Sequence, residues 1–263
     1  MNNIYRHSFA KMKTDKEGPP FCLERGVHQG NPISLKLFTC VMENTFREMN
    51  WDRQQGININ GSRLTNLRFA DDVVLFARTP EKLQTMLQQI PISVDGTTLP
   101  YVTDYIYLGQ LISFKDKSEK EIKRRISLAW RAFWSLQFIL LDKTLNRRLK
   151  LEALETCVYP TLLYGSQTWA TTNRQMTALQ ICQRKMERKI LGITWRDRIS
   201  NESLSQISAT TDITQRAIRQ KWKWGGHIAR MQDDRWTYKA TMWDPRLGHR
   251  HRGRPRRRWA DFY

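Results

Sequence analysis

The chain has 263 residues, with 44 Lys and Arg against 25 Asp and Glu and a net charge of +19. That excess favours polyanionic partners, since clustered cations supply salt-sensitive phosphate binding that is indifferent to sequence. It contains no apolar run near the roughly 20 residues that span a bilayer and no apolar stretch after Met1 that would serve as a secretory signal, so a membrane or secreted protein is not expected.

In chain order, two glycines and a proline stiffen Arg25-Gly26-Val27-His28-Gln29-Gly30-Asn31-Pro32-Ile33-Ser34 into a loop. Leu37, Phe38, Val41 and Phe46 then recur near helical spacing and predict a helix over about residues 34 to 51, for which Ser34 could serve as N-cap. A pair of hairpins is expected across residues 57 to 77, and a helix opens at Thr79-Pro80 with proline in its first turn. Asp95-Gly96 predicts a further short hairpin before the strand Tyr105-Ile106-Tyr107. From Lys115 onward strand signals fade. Ile122, Ile126, Ala129, Phe133 and Leu136 form one apolar stripe, and Leu149, Ala153, Leu154, Cys157 and Val158 a second. A third helix is expected from Met176 to Leu191, ended by Gly192. After Gly248 an Arg, Gly and Pro tail is expected to be disordered without nucleic acid.

The most informative residues are Phe69-Ala70-Asp71-Asp72, an acidic pair between apolar strand formers (Leu67 before; Val73, Val74, Leu75 and Phe76 after). Burying adjacent unpaired carboxylates costs several kcal/mol, so the pair needs either a cation or an exposed turn. A hairpin tip offering carboxylate oxygens suits Mg²⁺, a hard cation that shares few carboxylates with substrate phosphates. An ordinary exposed Asp-Asp turn suits the same residues.

Together with the upstream loop, this order resembles the palm of reverse transcriptases of non-LTR retrotransposons. The family's Gln-Gly-Asp-Pro-Leu-Ser loop stands here as Gln29-Gly30-Asn31-Pro32-Ile33-Ser34, and its acidic hairpin as Phe69 to Asp72. Asn58-Ile59-Asn60-Gly61-Ser62-Arg63-Leu64 is similar to the hairpin before the metal site in the RTE/BovB-like clade. Tyr105-Ile106-Tyr107-Leu108-Gly109 is similar to the strand that grips the primer end. Gly226 to Met231, Asp234-Arg235-Trp236 and Arg252-Gly253-Arg254-Pro255 extend the likeness to the carboxyl terminus. The resemblance implies an α+β fold: a partial palm (antiparallel sheet with helices) over residues 21 to 112, a helical thumb-like domain over 113 to 192, a basic helical region over 193 to 247 and an Arg-rich tail over 248 to 263, with residues 1 to 20 as an extension. It implies RNA-directed DNA polymerisation on an RNA template and a DNA primer. Asp71 and Asp72 would be the catalytic and Mg²⁺-binding residues, with Arg25, Gln29, Gly30, Pro32, Ser34 and Phe69 against nucleotide and template. Tyr107, Leu108 and Gly109 would form the primer grip.

Departures matter as much. Two-metal transfer needs a further Asp, which the family supplies from a strand upstream of the loop. Only Asp15, Glu17 and Glu24 precede the loop here, none of them in an apolar strand. The Gly-Leu-x-x-Asn-x-x-Lys-Thr stretch that the family places after the acidic hairpin and its helix is absent between Gln89 and Pro91, and Asn31 replaces Asp. Three readings follow: a reverse transcriptase, a nucleic-acid-binding remnant without catalysis, or an element fragment without activity. A partner chain could supply the missing strand.

Charge is unevenly spread. Residues 219 to 263 carry thirteen Lys and Arg against four Asp, and residues 115 to 150 carry eleven against four acids. Trp130, Trp134, Trp222, Trp224 and Trp236 interleave with these runs, a pattern suited to stacking on nucleic acid. Lys123, Arg124 and Arg125 on the first helix are the candidate phosphate contacts there. In the tail the candidates are Arg250, Arg252, Arg254, Arg256, Arg257 and Arg258, a run that would equally suit nuclear import and so an intracellular, nuclear location. Cys22, Cys40, Cys157 and Cys182 lack Cys-x-x-Cys spacing and are expected to be buried, reduced thiols with no disulfide-linked partner. His227, His249 and His251 have no nearby Cys, which argues against zinc.

Overall fold

The structure, a computed structural model, describes residues 9–22, 30–49, 51, 55–90, 102–113, 117–243 and 259. The chain divides into two compact units, Met1–Thr97 and Thr98–Tyr263. The expected Asp95-Gly96 hairpin, Arg25, Gln29 and all six tail arginines lie outside the described residues.

The first unit is built from short hairpins and two helices. Strands β1 (Phe9–Ala10) and β2 (Phe21–Cys22) pair antiparallel. Helix α1 (Pro32–Glu48) starts two residues ahead of expectation, because the Asn31 side chain accepts a 2.9 Å bond from the Ile33 N–H and Pro32 at the first position has no N–H to satisfy. Ser34 is therefore a buried first-turn residue and not the cap. Strands β3 (Ile57–Ile59) and β4 (Ser62–Leu64) are joined by Asn60-Gly61, both at positive φ, with the Asn58 carboxamide accepting from the Gly61 N–H. That is the turn an Asn-Gly pair favours between right-twisted strands. Strands β5 (Asn66–Phe69) and β6 (Asp72–Leu75) form the acidic hairpin, and α2 (Pro80–Gln88) follows, capped by Thr79. Among the described residues of this unit only Ile59, Leu64 and Met86 are buried apolar side chains.

The second unit holds a much larger core. Strands β7 (Asp104–Tyr107) and β8 (Gln110–Ser113) form a hairpin. Helices α3 (Lys117–Ser135), α4 (Gln137–Leu140), α5 (Arg147–Ala153), α6 (Tyr159–Leu162), α7 (Asn173–Leu191), α8 (Asn201–Ser208), α9 (Ile213–Ala229) and α10 (Trp236–Met242) complete it. The expected α3 stripe packs inward: Ile122, Ala129 and Phe133 are buried, flanked by Ile126 and Leu136. α7 begins ahead of expectation because Thr172 and Gln175 form a reciprocal capping box, and it ends at Gly192 in the left-handed conformation. The second expected stripe is interrupted by one π turn over Leu154–Val158, next to Pro160. Proline cannot donate to the helical ladder and its ring crowds the carbonyl four residues back, so the ladder slips there. Leu154 and Val158 stay buried while Cys157 faces solvent. The cysteine expectation is corrected accordingly: Cys22, Cys40 and Cys157 are exposed and only Cys182 is buried, all four as free thiols. Cys22 sits on a two-residue strand and Cys40 on a helix that buries only Ser34, so neither meets a core. No described helix is long and apolar enough to cross a membrane.

Candidate nucleic-acid interface

The acidic hairpin forms as the residue pattern requires. Phe69 pairs with Asp72, leaving Ala70-Asp71 as a two-residue turn with Ala70 at φ 51°. Positive φ at a residue other than glycine costs of order 1 kcal/mol and persists where its surroundings impose it. Phe69, Asp71 and Asp72 are all exposed, so the carboxylates avoid the burial that made them unusual in sequence. The flanking strand is tied to α1 by an ion pair between Arg68 and Glu43 (2.9 Å) and by the Arg68 guanidinium 4.9 Å over the Phe46 ring. Hydrogen bonding from Arg47, with the Arg68 charge, holds the Glu43 carboxyl below its usual range. Gly30 lies at positive φ ahead of α1, and Pro32 and Ser34 form its first turn.

Two adjacent carboxylates do not make a two-ion centre, which needs oxygen ligands from several positions. Among the described residues no group of three or more His, Cys, Asp or Glu is placed to hold a metal. Asp71 and Asp72 are thus, among the described residues, too few donors for Mg²⁺ as the family uses it.

In the second unit the turn at Leu108-Gly109 is the best-supported element. Both residues lie at positive φ (47° and 74°), an unusual conformation for a leucine. Three side chains of the helical body secure its carbonyls. Tyr164 Oη donates to Leu108 O at 2.9 Å, while Arg124 (3.2 Å) and Arg125 donate to Gly109 O. Glu121 accepts from the Leu111 N–H (3.0 Å) and from Arg125 Nε (2.6 Å), and Gln110 Nε2 donates to Gly165 O and to Thr168 Oγ1, each at 3.1 Å. Lys120 bonds Asp104 and keeps that carboxyl ionised below its ordinary range, with help from Ser113.

This arrangement places the three expected phosphate contacts on α3 in different surroundings. Arg125 has a side chain only 6% exposed, paired with Glu121 at 4%, and its guanidinium stacks 4.5 Å over the Tyr164 ring. Arg124 is drawn into the same cluster. Lys123 alone of the three projects into solvent, paired there with Glu119. Glu121 and Arg125 are one helical turn apart on the face that carries Ile122 and Ala129, so the spacing that buries the apolar stripe also buries the ion pair. Lys150 and Lys221, counted among the basic runs, are buried as well, Lys221 donating to Trp169 O at 3.1 Å.

Exposed cations and aromatics do meet elsewhere on this unit. Lys189 Nζ lies 4.7 Å over the Trp134 ring, and Trp134 stacks against Trp130. Arg196 lies 5.5 Å over Trp195, which is 83% exposed. Trp222 is exposed, and the Trp259 indole N–H donates to Gln167 O with Lys221 5.2 Å from its ring. Sequence reasoning missed Glu121, Tyr164 and the Trp195-Arg196 pair. The Trp-Arg dipeptide was a readable signal, whereas Glu121 and Tyr164 act across 43 positions that no local pattern links.

No family model matches the chain. It is 31% identical to a transposon-derived protein of Caenorhabditis elegans over 240 residues, covering 78% of this chain and 86% of that protein. Over 88 residues it is 38% identical to the retrovirus-related Pol polyprotein of the type-1 retrotransposable element R2 of Nasonia vitripennis, covering 33% of this chain and 8% of that polyprotein.

Proposed function

The chain belongs to a family of transposon-derived proteins related to non-LTR retrotransposons, and on that premise we propose that it is a nucleic-acid-binding segment descended from a reverse transcriptase palm and thumb. The motif order from Asn58 through Asp72 supports kinship with the RTE/BovB-like clade, and the helical unit is where RNA or DNA binds. The observation that carries this reading is the set of exposed tryptophans capped by cations, Lys189 on Trp134 and Arg196 on Trp195. Trp195, 83% exposed, offers a π face for a base beside the Arg196 charge, whereas Trp134 is already flanked by Lys189 and Trp130, so that pair contributes a positive charge for phosphate. Nucleotidyl transfer is not assigned to the chain by itself, because Asp71 and Asp72 lack a companion carboxylate among the described residues.

Two measurements test the reading. Fluorescence anisotropy with single-stranded and duplex oligonucleotides should show binding whose log–log salt slope reports several phosphate contacts, at about 0.9 per contact on duplex DNA. Primer extension on an RNA template with Mg²⁺ or Mn²⁺ should yield no product. Salt-insensitive or absent binding overturns the reading; extension abolished by Asp71→Ala overturns the separation of binding from catalysis.

A further inference from the structure

Between the β7–β8 turn and α9 lies a cleft of about 620 Å³. Three aromatic side chains line it, Tyr107, Tyr164 and Trp224, together with three amides, Gln110, Gln167 and Gln220. None of its described lining residues is charged, although the chain carries a net +19. A phosphate site would be built from guanidinium groups or ammonium groups. Arg124 and Arg125, beside the turn that forms one wall, are turned to Glu121 and the Gly109 carbonyl. The chemistry that remains is flat and apolar with hydrogen-bonding edges.

We propose that this cleft receives one unpaired nucleobase of a single-stranded segment, stacked on Trp224 and read at its polar edge by Gln220 and Gln167. The Gln110 amide nitrogen is already committed to Gly165 O and Thr168, so it fixes the wall and does not read the base. Gln220 accepts the Ser166 hydroxyl through its carbonyl oxygen, which orients its NH₂ as a free donor among the described residues. The Gln167 side-chain amide likewise has no partner among them. One donor with a second amide offering both donor and acceptor suits the mixed edge of a base and discriminates weakly among bases. The wall is preorganised: Leu108 and Gly109 are held by Tyr164 and the α3 arginines before any ligand arrives. A base can offer its polar edge to the Gln220 and Gln167 amides only when that edge is not engaged in pairing, so the ligand must be unpaired or flipped out.

The proposal rests on the nucleic-acid reading above, and the experiment separates the two. The full chain is titrated into a single-stranded oligonucleotide carrying one 2-aminopurine, with anisotropy reporting binding and 2-aminopurine emission reporting stacking; a blunt duplex serves as comparison. The wild type should bind and quench the emission. Trp224→Ala should weaken single-strand binding about tenfold, the scale of one lost stacking contact. It should also restore emission, while duplex affinity and the salt slope stay unchanged because no charge is removed. Trp224→Phe should retain most of the quenching and affinity. Binding without quenching, an unaffected Trp224→Ala, parallel loss of single-strand and duplex binding, or a Trp224→Phe as weak as Trp224→Ala each overturns the cleft assignment alone. Binding of neither oligonucleotide overturns the nucleic-acid reading and the cleft with it.

Discussion

Glu121 and Arg125 show how a charge run in sequence divides into two kinds of residue once folded. Lys123-Arg124-Arg125 reads as one basic patch, yet a helix turns successive residues by about 100°, so one points to water and one into the core. The buried carboxylate accepts from three donors, an Arg124 nitrogen shared between its two oxygens, Arg125 Nε and the Leu111 N–H, and removing its charge leaves Arg125 buried without a counter-ion. Loss of one partner from a buried pair costs about 3–5 kcal/mol, whereas exposed pairs are worth about 0–1 kcal/mol. Glu121→Gln should therefore lower unfolding free energy by about 3 kcal/mol, and Lys123→Ala by less than about 0.5 kcal/mol. Urea denaturation monitored by far-UV circular dichroism compares them directly. Equal effects would mean that the buried pair contributes no more than an exposed one.

The elements most legible in sequence were those set by local chemistry: the Asn60-Gly61 turn, the Thr79-Pro80 helix start, the Gly192 stop and the inward stripe of α3. Those missed depend on partners distant in the chain. The clamp on Leu108-Gly109 comes from Arg124 and Arg125 on α3 and from Tyr164, which no local pattern links to them or to the turn. Of the proposed site residues, Asp71 and Asp72 stand at a hairpin tip as the alternating apolar residues required, but their chemistry needs groups that the described chain does not gather. The β7–β8 turn also carries a testable strain. Leu108 at φ 47° occupies the first position of a two-residue hairpin turn, where Asn is favoured and leucine pays a left-handed penalty. The residue is 40% exposed, so little packing is lost on replacement. Leu108→Asn should raise stability by about 0.5–1 kcal/mol, read as a higher urea midpoint at unchanged m-value. A drop would show that the leucine side chain packs more strongly than its exposure indicates.

At the scale of the whole molecule the two units differ in how they are held. The first buries three apolar side chains among its described residues, while the second carries a continuous core around Phe133, Leu154, Leu162, Leu179 and Met186. Embedded in that core are two acids that folding keeps protonated. Burial pushes the Cys182 thiol from the ordinary 9.0 up to about 12. Burial, with the adjoining Glu187 carboxylate that accepts its hydroxyl at 3.1 Å, holds Tyr159 above the phenol range. Both pKa values are raised on folding, so the stability they lend is complete below the unfolded values and is lost as pH climbs towards the folded ones. For Cys182 the window is pH 9 to 12, and Tyr159 joins it from about pH 10. In that window the unfolded chain binds fewer protons than the native one, and each group lowers stability by about 1.4 kcal/mol per pH unit. Cys182 alone should remove about 2 kcal/mol between pH 8 and pH 10.5. Urea unfolding of wild type and Cys182→Ala at both pH values isolates this contribution: the variant starts lower because a buried side chain is shortened, but its decline with pH should be smaller by that amount. Parallel declines would mean that Cys182 ionises as readily in the folded protein as in the unfolded chain, and that alkaline loss of the helical unit arises from Tyr159 and the surface lysines.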